Sequence, residues 1–175
     1  MITKWWKNLI KTALQTAFQN PVYGYNIPLK ATNGTTYYAM GIGNITISWS
    51  NPMSFNAQNT GVSIGTSDTP ATDEDYVLGN TITSGISATC TTTKSEEDGI
   101  PCTTLNMVLS NSTNADIIVK EVGLKCTVTV ANTAGGTASS NRVILVDRTV
   151  LETPVTVPAR GNAAVFYKLK TDYNF

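Results

Sequence analysis

The sequence predicts a mainly β fold: an antiparallel β-sandwich, jelly-roll-like, preceded by one N-terminal amphipathic helix. Three observations carry this prediction. Charged residues make up only 14% of the 175 residues, well below the usual quarter, while Thr, Ser, Asn and Gly are abundant, as in domains of many short strands and turns. Beyond Pro28 the apolar residues alternate with a period of two. Ahead of Pro21 they recur instead at i, i+4, the period of a helix.

The helix spans residues 1–20 and the β domain residues 21–175. Trp5, Trp6, Leu9, Ile10, Ala13, Leu14, Ala17 and Phe18 form one apolar stripe, with Lys4, Lys7, Lys11, Gln15 and Gln19 opposite. Thr3 is the expected N-cap and Asn20-Pro21 the expected stop. A stripe of this kind gains its stability from burial, either on its own domain, against other copies of the chain, or in a groove of another protein. Trp5, Trp6, Leu9, Ile10, Leu14 and Phe18 are therefore the candidate partner-binding residues. A membrane surface is a further candidate, but three lysines give weak attraction to it.

The strands follow in order. Ile45, Ile47 and Trp49 alternate with Thr46 and Ser48, Ile82 and Ile86 sit in TITSGISAT, and Leu105, Met107 and Leu109 alternate in TLNMVLS. Each reads as a half-buried strand. ADIIVKEVGLKCTVTVA is the longest extended stretch; Leu124, Cys126, Val128 and Val130 define one buried face, and Gly123 marks a possible bulge that leaves the face of Glu121 open. RVILVDRTVL is apolar on both faces, as a central strand would be. The chain then closes in an expected hairpin through Ala159-Arg160-Gly161-Asn162, with Pro154 and Pro158 marking an edge.

Several chemistries are disfavoured by composition. Twelve basic residues cancel twelve acidic ones, so no global field draws in nucleic acid or an anionic membrane. With no histidine, Ser-His and Cys-His nucleophiles are impossible, and neither a G-x-S-x-G elbow nor a phosphate-binding glycine loop is present. The expectation is a non-enzymatic protein with no cofactor and no metal. Cys90, Cys102 and Cys126 have no zinc-site spacing; a Cys90–Cys102 bridge would require an oxidising compartment.

Two acidic clusters remain. KSEEDG, residues 94–99, reads as a charged hairpin or loop. SDTPATDEDY places Asp68, Asp73, Glu74 and Asp75 close together but does not match an EF-hand loop. Its order of residues instead fits a turn in which Thr69 caps and Pro70 opens a short helical turn. Glu121 and Arg148 each lie within an apolar strand, where an unpaired charge is costly, so they are expected to form a structural ion pair between neighbouring strands.

Three segments together carry a resemblance. GVSIGTSDTPATDEDYVL, then VKEVGL, then LVDRTVLETPVTVPARGNAAVFYKL resemble an ordered series in small virion-associated proteins of tailed bacteriophages. The matching positions are Gly65, Pro70, Asp75, Tyr76 and Leu78; Glu121, Val122, Gly123 and Leu124; and Arg148, Leu151, Pro154, Val155, Pro158 and Gly161. The match covers roughly residues 61–170 and omits the helix; Arg160 and the Cys-bearing stretch 90–102 depart from it. The resemblance implies a structural protein of the head, collar or tail, made in the bacterial host cytoplasm and located in the virion. It would assemble with copies of itself and with portal, tail or capsid proteins, and with neither nucleic acid nor membrane. The competing class is a carbohydrate-binding or adhesive β-module of a phage fibre, with Tyr37, Tyr38, Trp49 and Phe55 as its stacking platform.

Overall fold

The computed structural model describes residues 1–5, 7, 27–39, 47–48, 61–133 and 138–170. Among the described residues nine strands form two antiparallel sheets: β1 (Pro28–Lys30), β2 (Thr36–Ala39), β3 (Ile47–Ser48), β4 (Gly61–Gly65), β5 (Ile86–Glu97), β6 (Ile100–Asn111), β7 (Ile117–Ala131), β8 (Ser139–Val157) and β9 (Asn162–Lys170). The first sheet is organised on β7. Along one side β7 pairs with β8; along the other it pairs in succession with β4, β3 and β2, and β1 lies outside β2. The second sheet has the order β5-β6-β9.

The period-two pattern explains which face of each strand is buried. Leu105, Met107 and Leu109 of β6 and Val165 and Tyr167 of β9 join Val62 and Ile64 of β4 and Val122, Leu124, Cys126, Val128 and Val130 of β7 in one hydrophobic cluster that draws on both sheets. Burying each such aliphatic side chain is worth about 1.5–3 kcal/mol. The β7–β8 pairing register shifts at two places, between Val119 and Glu121 and between Leu124 and Lys125, the second skipping Val146 of β8 and leaving the alternation of β7 unbroken. Gly123 itself stays in register, opposite Ser63 and Arg148. The first irregularity moves Val119 and Val122 onto the core side and leaves Glu121 on the opposite face with Gly123 and Lys125.

Several expectations are corrected. The closing hairpin is not formed: β8 and β9 are joined by the turn Pro158–Gly161, but β8 pairs with β7 and β9 with β6, so the chain crosses between sheets there. Asp116 accepts from the N–H of Ala159 and Asn114 from Arg160, whose φ is +56°; side chains of the 112–116 turn hold the crossing open. Ile82 lies ahead of β5, tied to β4 by a hydrogen bond from its N–H to the Ile64 carbonyl. KSEEDG is the hairpin of the two alternatives expected for it: the strands continue almost to the tip, and only Asp98 and Gly99, with φ of +55° and +77°, form the turn. Two positive φ values are what a two-residue type I′ hairpin requires. Cys90 faces Met107 and Cys102 faces Ser95, which separates the two cysteines by about 17 Å along the sheet. That is too far for a bridge, and all three thiols are free.

At the start of the chain, Lys7 N–H donates to the Thr3 carbonyl at 3.1 Å, one helical hydrogen bond. The rest of the expected helix, with the 20/21 boundary, lies outside the described residues, as do Trp6, Leu9, Ile10, Leu14 and Phe18. Residues 1–3 add an antiparallel bridge to the outer edge of β8, Ile2 opposite Asp147, with Thr3 N–H donating to Val146 and Arg148 N–H to Met1. The Thr3 hydroxyl is buried and donates to the Leu145 carbonyl.

Candidate functional site

β4 ends at Gly65 and β7 presents Glu121 directly opposite it. The chain then leaves the sheet as an irregular loop, residues 66–80, which folds back over the face bearing Glu121. A loop without ladder hydrogen bonds must satisfy its polar groups elsewhere, and here Glu121 does so. Its Oε1 accepts from Asn80 N–H at 2.8 Å and Ser67 N–H at 3.3 Å, and its Oε2 from Gly79 N–H at 3.1 Å.

Arg148, opposite Gly123 on β8, completes the cluster. Its Nε donates to Glu121 Oε2 at 2.7 Å, Nη1 to Asp75 Oδ2 at 2.8 Å, and Nη2 to the Thr69 carbonyl at 3.0 Å. Glu121 is 0% exposed and Arg148 2%. Burial pushes Asp75 upward, but the Thr72 N–H, Arg148 and the Thr72 hydroxyl outweigh it and hold the carboxyl below its ordinary range. Burial works against the Arg148 charge as well, and the hydrogen bonds to Asp75 and Glu121 overcome it, so its pKa is raised.

This arrangement corrects the reading of the acidic stretch. No helical turn begins at Pro70; the turn runs from Thr72 to Asp75, whose carboxylate accepts from the Thr72 N–H at 2.9 Å and the Thr72 hydroxyl at 3.0 Å. The carboxylates diverge to different cations: Asp68 to Lys120 at 2.7 Å, Glu74 to Lys4 at 2.5 Å and Asp75 to Arg148. Such an arrangement anchors a loop at three points.

Close packing accounts for the glycines. A Cβ on Gly65 would stand 2.3 Å from Glu121 Oε1 and 2.6 Å from the Asn80 carbonyl oxygen, and one on Gly123 2.7 Å from a methyl of Leu78. Gly65, Asp75, Leu78, Glu121, Gly123 and Arg148 thus belong to one packed unit.

The first residues of the chain dock beside this unit. The Met1 amino group lies 2.8 Å from Asp147 Oδ1 and donates to the Arg148 carbonyl at 2.6 Å. Lys4 N–H donates to the Asp73 carbonyl at 2.6 Å, and the Trp5 indole N–H to that of Glu74 at 3.3 Å. Trp5 is buried at 8% exposure, so of the candidate partner-binding residues the one described is covered by its own chain. Asp147 also accepts from the Tyr167 hydroxyl of β9, a buried hydrogen bond between the two sheets.

Glu121 and Arg148 are adjacent, but the sequence reading omitted Asp75, Asp147 and the main-chain donors of the loop. A signal was present for two of these: Asp147 sits next to Arg148 in an apolar strand, and Asp75 recurs in the resemblance beside glycines. Of the proposed aromatic platform, Tyr37 is buried in the hydrophobic cluster with Arg142 stacked on its ring at 4.7 Å, Tyr38 is half-buried, and Trp49 and Phe55 lie outside the described residues. Comparison with protein-family models, with curated proteins and with solved structures gave no match.

Proposed function

We propose that the chain is a non-enzymatic structural component of a tailed-bacteriophage virion, in the head, collar or tail. It folds as a jelly-roll-like sandwich led by an amphipathic helix and assembles as a symmetric oligomer, with that helix as docking element. Its partners are copies of itself and other virion proteins of the portal, tail or capsid; it takes no cofactor and contacts neither nucleic acid nor membrane. The observation that carries this reading is that six of the fifteen positions of the resemblance, Gly65, Asp75, Leu78, Glu121, Gly123 and Arg148, meet in one packed unit. Shared positions that hold a loop in place fit a shared scaffold, and a scaffold of this kind fits a protein whose work is assembly. Mass spectrometry of purified particles tests it: the chain is expected among their constituents, and its absence overturns the reading. The mass of the isolated protein with and without residues 1–20 tests the docking role, with a smaller oligomer expected on truncation.

The second reading, a carbohydrate-binding or adhesive module of a phage fibre, is favoured by one observation on the second sheet. Phe166 is 71% exposed there, opposite Asn106, which itself lies opposite Thr91. An exposed ring among hydroxyl and amide groups is a stacking surface for a sugar. A glycan array without signal above background removes this reading.

A further inference from the structure

A cavity of about 290 Å³ opens between the 66–80 loop and the turn at residues 31–35, above the face of the first sheet that points away from the core. Its floor is Ser63 and Lys125, both buried; the polar residues Thr32, Asn33 and Thr81 and the apolar residues Val77 and Leu78 complete the lining. Asn33 and Val77 are exposed, which places them at the mouth. Neither the loop contacts of Glu121 nor the docking of residues 1–5 uses this space.

The lining describes its ligand. The volume is at the small end of ligand pockets and accommodates one pyranose ring, not a peptide. An ammonium at the floor calls for an anion, hydroxyl and amide groups call for a ligand with several hydroxyls, and the Val77–Leu78 surface calls for a C–H face. Burial lowers Lys125 to about 8, so it is charged at neutral pH. Ser63 and Lys125 each have interactions within the chain. An ammonium has three donors and a hydroxyl can both donate and accept, so ligand bonds add to these. A phosphate would match the ammonium but leave the apolar side unused, and phosphate sites draw on several Arg or main-chain N–H donors.

We propose that this cavity binds a six-carbon sugar acid, with its carboxylate on Lys125 and its hydroxyls on Thr32, Asn33, Ser63 and Thr81. Titration of the full chain with D-galacturonate and D-glucuronate, followed by isothermal calorimetry, tests it against methyl galactoside and inorganic phosphate. At least one sugar acid is expected to bind about tenfold more tightly than the neutral glycoside, because a charge-assisted bond is roughly twice as strong as a neutral one, and more tightly than phosphate, which makes that bond but leaves the apolar side unused. Lys125→Met should remove that preference. Thr81→Val should weaken the sugar acid without affecting phosphate, and it serves as the readout if Lys125→Met does not fold. Binding of neither sugar acid, equal binding of phosphate, or full binding by both variants overturns the proposal. It is independent of the virion reading, which particle composition tests separately.

Discussion

Glu121 accepts from three main-chain N–H groups as well as from Arg148, and that decides how the pair responds to mutation. Arg148→Met leaves a buried carboxylate without its cation and should cost about 3–5 kcal/mol. Exchanging the two charges, Glu121→Arg with Arg148→Glu, should not restore stability, because an arginine at 121 would meet N–H donors with donors of its own. Urea denaturation of the two single variants and the double variant checks this; recovery in the double variant would mean that the loop donors contribute little. Two neighbouring residues of β7 set opposite pH trends. Lys125 is lowered by burial to about 8; between there and its ordinary value of 10.5 the unfolded chain keeps a proton that the folded chain has released, so its contribution makes stability rise with pH. Cys126 is pushed up by burial to about 12; above its ordinary value of 9.0 the unfolded thiol ionises first, so its contribution makes stability fall. Urea midpoints from pH 7 to 10.5 should lose the rising component in Lys125→Met and the falling one in Cys126→Val.

Among the elements, the 66–80 loop and the β5–β6 hairpin show what a glycine is needed for. Gly65→Ala forces a methyl against the Asn80 carbonyl and the Glu121 carboxylate and should cost about 2–3 kcal/mol, with the loop loosened. Gly99→Ala meets no atom within 4 Å and is strained only by its φ of +77°, a cost of about 1 kcal/mol. Thermal unfolding of both variants, with limited proteolysis of the loop, separates the two. Strands β6 and β7 were legible, since alternation in TLNMVLS and in Leu124 to Val130 reports burial directly. Their partners were not. The Ala159–Asn162 turn reads as a hairpin locally, whereas the ladder to β6 and the groups of the 112–116 turn, both distant in sequence, hold β9 on the other sheet. The ion pair was legible because two charges inside apolar strands need a partner. Asp75 was marked by the resemblance alone, because a carboxylate in a loop carries no such demand.

At the scale of the whole molecule, two contacts join distant parts of the chain. Residues 1–5 cover the outer edge of β8, and Tyr167 reaches across from β9 to Asp147. Deleting residues 1–5 removes the Ile2–Asp147 bridge and the Met1–Asp147 and Lys4–Glu74 ion pairs, and calorimetry should show a lower melting temperature. Tyr167→Phe leaves the packing but removes the buried hydrogen bond, for an expected loss of about 1–3 kcal/mol by urea denaturation. The crossing at Pro158–Gly161 also bears on synthesis. β6 pairs with β9, and the ribosome must make all of β7 and β8 in between, which at the usual rate takes about 3–10 s. Throughout that interval the nascent β5–β6 hairpin has no third strand. The threonine-rich, mostly exposed β5 is then a means of keeping an unfinished sheet in solution until its last strand leaves the ribosome.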